Sequence, residues 1–256
     1  MQIHFIRNAS LIVTAQDHAI VVDPMLSGKG ALPPLSIFRH KAARNPLVPL
    51  PDNTEAALEK VNAALITHCR RGHVDHLDLK GRRFLRDRQV PTYCRTGDER
   101  YLRKRGVDAH ALTSEERQPF LDGAITLIPA RHGHGWISSV MGPGVGYVLE
   151  LPGEPSLYIA GDTVMTDDVR RALTEMKPDV AIVAAGNASV DVGKPILMQL
   201  EEVIEFATLA PGRVVANHLE ALNHCPITRE QVADAARAAN LDKPLEIPLD
   251  GETMSF

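Results

Sequence analysis

Cysteine is scarce in this chain of 256 residues: there are three, Cys69, Cys94 and Cys225. An odd, sparse set cannot form a closed disulfide framework and reads as reduced thiols. Aromatic residues make up only 4%, which leaves few rings to stack on bases and requires a mainly aliphatic core. No run approaches the roughly 20 apolar residues of a membrane span. The opening Met1-Gln2-Ile3-His4-Phe5-Ile6-Arg7 lacks the basic-then-apolar layout of a secretory signal, so a cytoplasmic location is expected. There is no Gly-x-Ser-x-Gly elbow, and no cysteine has an evident base partner, which argues against a side-chain nucleophile. Excess basic charge is missing too, and a formal net charge of -4 argues against broad binding to a phosphate backbone. The basic run Lys80 to Arg88 reads as the solvated face of a helix. The expected partner is a small-molecule substrate, with neither nucleic acid nor membrane, and the sequence leaves the oligomeric state open.

What is present is a hydrophobic content of 44%, enough for a buried core. The length suits a single domain over 1–256 better than two domains. Short apolar segments at Ile3 to Ile6, Leu11 to Thr14 and Ala19 to Val22 predict an opening antiparallel meander. Gly28 to Asp52 is rich in proline and forms a long connection, either a functional loop or a packed excursion. Helices are predicted over 54–61, capped by Asp52 or Asn53, and over 78–88, 98–105, 167–176, 200–209 and 229–240. Strands are predicted over 90–94, 124–128, 146–151, 156–160, 180–184 and 213–216. Meander and then alternation, twice over, predicts an α/β fold of two sheets flanked by helices.

The chemistry concentrates in Ile66-Thr67-His68-Cys69-Arg70-Arg71-Gly72-His73-Val74-Asp75-His76-Leu77-Asp78, which follows the apolar run Ala63 to Ile66. Three histidines and two aspartates in one turn-rich loop offer the imidazole and carboxylate donors that a divalent metal such as zinc takes. Further metal-competent residues stand just past other apolar runs. Asp23 follows Ala19 to Val22, His132 follows Ile125 to Ile128, Asp162 follows Leu157 to Ala160, and His218 follows Arg213 to Asn217. Strand ends meeting along one sheet edge let a fold collect ligands from distant parts of the chain.

The series Asp23, His73/Asp75/His76, His132, Asp162 and His218, with the forms Pro129-Ala130-Arg131-His132 and Gly161-Asp162-Thr163, resembles the metallo-β-lactamase fold superfamily. Within it the chain is most similar to the ascorbate-phosphate lactonase-like branch. The resemblance implies an αββα sandwich of two mixed sheets flanked by helices. It also implies two divalent metal ions, zinc first, with manganese or iron as alternatives. One metal site would take Asp75, His76, His218 and bridging Asp162; the other would take His73, His132, Asp162 and one more histidine. The family pattern His-x-His-x-Asp-His would place that histidine at position 71, where this chain has Arg71. Three outcomes are open: a bulge around Cys69 to Gly72 that still brings His68 to the metal, a merely structural His68, or Cys69 as a substitute ligand. By resemblance His132 is preferred to His134 as ligand. His224 fits a structural or substrate-facing role, and Asp23 fits one of orienting a histidine through its other ring nitrogen.

The resemblance and the donor set together point to a metal-dependent hydrolase that uses a metal-bound hydroxide. A bound ion lowers the pKa of water from 15.7 to about 7. A small ester, lactone, amide or phosphodiester would be the substrate, with Asp75 as the catalytic residue that orients the hydroxide or takes a proton. A non-catalytic metal-binding protein and a di-iron redox module are the alternatives.

Overall fold

The computed structural model describes residues 1–70 and 72–256. Strands β1 (Gln2–Arg7), β2 (Ser10–Ala15) and β3 (His18–Val22) open the chain and pair antiparallel in chain order. There follow α1 (Thr54–Glu59), β4 (Ala63–Ile66), α2 (Leu79–Asp87), β5 (Thr92–Arg95), α3 (Asp98–Arg103) and β6 (Ala109–Leu112), and from β3 to β6 the pairing is parallel. The second half repeats the plan. Strands β7 (Gln118–Phe120), β8 (Gly123–Arg131), β9 (Pro143–Glu150) and β10 (Leu157–Ile159) pair antiparallel, with helix α4 (Trp136–Met141) between β8 and β9. Then α5 (Asp167–Arg171), β11 (Val180–Ala184), α6 (Leu200–Leu209), β12 (Arg213–Asn217), α7 (Arg229–Ala238) and β13 (Leu245–Glu246) alternate, with β10 to β13 parallel. A last strand, β14 (Thr253–Ser255), returns to pair antiparallel with β1. Two mixed seven-stranded sheets result, β14-β1-β2-β3-β4-β5-β6 and β13-β12-β11-β10-β9-β8-β7.

Strand periodicity assigns the residues to layers. Leu11, Val13, Ile20, Val22 and Leu65 of the first sheet face Ile125, Leu127, Tyr147, Leu149 and Ile182 of the second in the central core. Their strand neighbours Ile12, Val21, Ala64 and Ile66 turn outward onto Leu85 of α2 and Leu102 of α3. On the far side Tyr158, Ala181, Val183, Val214 and Ala216 meet Val169 of α5, Phe206 of α6 and Val232 of α7. Sheets covered on both faces need near-continuous apolar strands, which is why Ala63–Ile66 and Val180–Ala184 are buried throughout. The expected αββα sandwich is the observed architecture. No helix among the described residues is long and apolar enough to cross a membrane.

Local differences from expectation have local causes. Asn53 does cap α1 by position, but its side chain makes no capping bond; its amide donates instead to Gly251 O at 2.8 Å. The helix expected over 167–176 is α-helical only to Arg171 and finishes as a π turn over Ala172–Met176, stopped by Lys177 in the left-handed region. The 28–52 connection carries one isolated bridge, Leu32 to Asn45. It is pinned from below by the buried Arg7 guanidinium, which donates to the carbonyls of Val48, Met25 and Ser27.

Candidate metal centre

The two sheets meet at one edge, and backbone bonds sew the strand ends together there. Val145 N of β9 donates to Thr67 O beyond β4, and His218 N beyond β12 donates to Asn8 O in the β1–β2 turn, each at 3.1 Å. Asn8 also donates through Nδ2 to Asp75 O at 3.1 Å. The chain must turn sharply as each strand ends. Asp23 and His218 accordingly hold φ of 44° and 62°, a region that residues other than glycine rarely adopt and that the surrounding bonds impose. Just before Asp162, Gly161 has φ +65°, and a Cβ there would lie 2.9 Å from Val145 O. Only glycine fits.

These turns gather the expected residues into two groups. His68, His73 and His132 offer nitrogens within 4.8 Å of one another, and Asp75, His76, Asp162 and His218 offer donor atoms within the same span. Asp162 joins the groups: its Oδ2 lies 3.1 Å from His76 Nε2, 3.7 Å from His132 Nε2 and 3.6 Å from His218 Nε2. All seven are buried. Four imidazole nitrogens, Nε2 of His68, His73, His132 and His218, have no hydrogen-bond partner, nor does Asp162 Oδ1. Buried polar atoms without partners are costly, and unpaired imidazole nitrogens gathered around an unpaired carboxylate oxygen are what divalent cations satisfy. The residues fit the metals that the motif series implies.

On His68, His73, His76 and His218 the opposite ring nitrogen is tied down, which fixes tautomer and ring plane, whereas His132 Nδ1 has no partner. Asp23 Oδ2 sits 2.8 Å from His76 Nδ1, while its Oδ1 accepts from Thr67 N at 2.8 Å and its Oδ2 from Thr67 Oγ1 at 2.5 Å. Thr67 Oγ1 also lies 2.9 Å from His68 Nδ1. Arg70 O accepts from His73 Nδ1, and Cys225 Sγ lies 3.4 Å from His218 Nδ1. Asn8 and Cys225 went unseen in the sequence; a polar residue in the tight turn between two apolar strands is the only signal for the first.

The family model for the beta-lactamase superfamily domain matches residues 18–219, which span Asp23 to His218. The chain belongs to the beta-lactamase superfamily. It is 28% identical over 263 aligned residues to the UPF0173 protein YddR of Bacillus subtilis (strain 168), covering 100% of both chains. Its fold is similar to that of an isothiocyanate hydrolase from Delia radicum gut bacteria, with TM-score 0.89, 29% identity and coverage of 100% of this chain and 99% of that one. It is equally similar, with TM-score 0.89, 26% identity and the same coverage, to a protein of Veillonella parvula DSM 2008 described as a possible metal-dependent hydrolase. Relatives of this kind bear the name metal-dependent hydrolase, and hydrolase is the enzyme class of this superfamily member too.

Within the superfamily pattern the displaced histidine is the point of departure. Arg71 lies outside the described residues. On either side of it, Gly72 takes φ +90° and Arg70 O receives His73 N, so that His68 and His73 close on each other with ring centroids 4.3 Å apart. His68 therefore stands with His73 and His132. Cys69 points away, buried in the apolar cluster under α2 and α3, and burial, then Asp98, pushes its thiol far up. His134 is half exposed, 3.9 Å from Glu202, outside both groups. His4, His18, His40 and His110 pair with Thr253, Asp122, Ser189 and Asp108 respectively.

Electrostatics divides the two groups. Burial, then the neighbouring His76, His73 and His132, holds the His68 imidazole well below its ordinary range, and burial lowers His73; both are neutral and ready to ligate. His76 goes the other way: burial opposes it, but Asp162, Asp23 and Asp75 together raise it well above 6.5. Burial favours the acid form of Asp162, yet His76 and His218 outweigh it and hold the carboxyl well below its usual range. His224 stands beside this group, Nε2 3.9 Å from Asp75 Oδ2, and burial pushes its imidazole from 6.5 down to about 4. The unfolded chain therefore takes up this proton at higher pH than the folded one. The stability tied to neutral His224 is full above pH 6.5 and is lost as pH falls from 6.5 towards 4, by about 3 kcal/mol. In chelator-treated protein, urea unfolding across pH 4–7 is expected to show a shallower acid slope for His224→Gln than for the parent. Parallel slopes would remove this assignment.

Proposed function

We propose that this hydrolase holds two divalent ions, zinc first, and cleaves a small ester, lactone, amide or phosphodiester. One ion would be held by His68, His73 and His132, the other by Asp75, His76 and His218, with Asp162 shared between them. The observation that carries the reading is the placement of Asp162 Oδ2 within 3.1 to 3.7 Å of imidazole nitrogens from both groups. Ions bound there supply an activated water at neutral pH and polarise the oxygen of the scissile group.

The chain's own residues do the rest. Burial opposes ionisation of Asp75, but His76, His224 and His73 outweigh it and hold the carboxyl below its usual range, so it is charged at neutral pH, able to orient the attacking water and accept its proton. His224, neutral and 3.9 Å away, can receive a hydrogen bond or donate one to substrate from the far side. Thr67 and Asp23 keep His68 and His76 pointed inward while the reaction passes. The isothiocyanate hydrolase neighbour adds isothiocyanates, with an unsaturated electrophilic carbon, to the substrates worth assaying.

Metal per chain, measured by plasma mass spectrometry on untagged protein purified without chelator, tests the reading. About two equivalents are expected, and about one for His68→Ala, with hydrolysis in a panel of esters, lactones, phosphodiesters and isothiocyanates abolished by chelation. A protein that carries no metal and does not rebind zinc, manganese or iron would end the proposal.

A further inference from the structure

The stretch that breaks the superfamily spacing also inserts a cation beside the centre. A cavity of about 280 Å³ opens on the outer side of the first histidine group, and His68, His73, Arg70 and Arg95 line it, with Met141 and Pro143 on the far wall. Arg70 comes from the inserted segment itself and Arg95 from the end of the neighbouring strand β5. Two segments adjacent in the sheet thus aim guanidinium groups into the space that the ligand histidines face.

Both guanidiniums are steadied by one carboxylate. Asp98, at the start of α3 and 1% exposed, has Oδ1 3.7 Å from Arg70 Nη1 and 3.6 Å from Arg95 Nη1. These contacts are longer than hydrogen bonds, and Asp98 Oδ1 has no hydrogen-bond partner. Asp98 aligns the two forks without saturating either, and a single carboxylate leaves one positive charge over. The nearby Glu99 is committed elsewhere: Oε2 accepts from Gly97 N and Oε1 lies 3.6 Å from Arg100. The opposite wall, Met141 to Pro143, carries no charge. A pair of guanidiniums with net positive charge, Arg70 half exposed and Arg95 a quarter exposed, next to the histidine group and open to solvent, can take a planar or tetrahedral oxyanion in a bidentate grip.

We infer that Arg70 and Arg95 form a subsite for an oxyanion, a carboxylate or phosphate group of the substrate, on the His68/His73 side of the centre. The inference rests on the hydrolase reading and names the substrate class: a small anionic molecule whose scissile bond reaches the metals while its charged end stays on the arginines.

The test is calorimetric binding of inorganic phosphate and of acetate to metal-loaded protein, with metal per chain measured on every sample. Arg70→Met and Arg95→Met are made singly, so that Asp98 keeps one guanidinium and the fold is not asked to bury a lone carboxylate. Arg117→Met is the control, since Arg117 pairs with Glu150 at an exposed site. Each of the two site variants is expected to bind at least one probe about tenfold more weakly or worse, with metal content unchanged and Arg117→Met like the parent. Arg70→Lys and Arg95→Lys should recover part of the loss. A response confined to phosphate identifies a phosphate subsite, and one that includes acetate identifies a carboxylate subsite. Equal affinities in parent and site variants, or no binding of either probe by the parent, would overturn the inference. Arginine-dependent binding in a protein that hydrolyses nothing would sink the hydrolase reading and leave the subsite standing.

Discussion

Asp162→Ala is expected to lower metal-dependent hydrolysis by at least about a thousandfold and to reduce the metal carried per chain. Its carboxylate reaches both histidine groups: its Oδ2 faces His76, His132 and His218, and its Oδ1 is buried and unpaired. Alanine would leave three inward-facing imidazoles without their shared anion. The loss is therefore electrostatic at the centre rather than a repacking of the core, because Ala160 N and Val164 N on either side keep their bonds to Ile182 O and Arg131 O. His76→Ala should fall with it, whereas His110→Ala should not, since His110 lies on an exposed strand face beside Asp108. Metal analysis and turnover on one common substrate check all three. Equal activity among them would show that the centre is elsewhere.

The second large effect belongs to a residue that touches no metal. Asp23 accepts from Thr67 N and Thr67 Oγ1 and holds His76 Nδ1, all in a buried setting, and Thr67 in turn meets His68 Nδ1. One carboxylate thus orients a histidine of each candidate group, His76 directly and His68 through Thr67. Outer partners of metal ligands are worth about 10- to 100-fold in metal affinity or activity, so Asp23→Ala should weaken metal binding by that factor. Leaving Thr67 and His76 without their acceptor should also cost on the order of 3 kcal/mol of stability. Competition with a chromogenic chelator reads the first and urea unfolding of metal-free protein reads the second. Unchanged metal affinity would mean that His76 is oriented by something other than Asp23.

Where the sequence was legible, it was because burial on both faces of a sheet writes long apolar runs. Strands such as Val180–Ala184 and helices such as Leu200–Leu209 stand out for that reason. The strands that did not stand out are β6, β7, β13 and β14, and these are the four edges of the two sheets. Each is two to four residues long and interrupted by polar or proline residues, as in Ala109-His110-Ala111-Leu112 and Gln118-Pro119-Phe120. Short, polar, proline-bearing edges discourage pairing between molecules, and the same property erases their signature. Helix α4 was missed for another reason: its residues Trp136 and Val140 are exposed, so it lacks the apolar stripe that marks a packed helix.

The site followed the same logic. Asp23, His132, Asp162 and His218 could be picked out because strand ends are fixed by their apolar runs, and a polar residue just beyond one has a definite place. His68 could not be settled, since whether the five-residue step to His73 closes depends on the backbone at Gly72 and on the carbonyl of Arg70. Neither is written in spacing. Asn8 acts through a backbone bond to His218 that only the meeting of two distant halves creates, and Cys225 through His218 Nδ1 in a loop that the spacing does not show to fold back.

That division of the chain has a consequence for how the protein comes into being. His68, His73, Asp75 and His76 belong to the first sheet, while His132, Asp162 and His218 belong to the second, and each candidate group draws on both. A polypeptide emerging from the ribosome can therefore finish its first seven-stranded layer, apart from β14, without owning a complete set of donors for any ion. The last donor arrives at residue 218 and the last strand of the first sheet at Thr253–Ser255. Both candidate donor groups are thus completed only when the second layer has closed on the first.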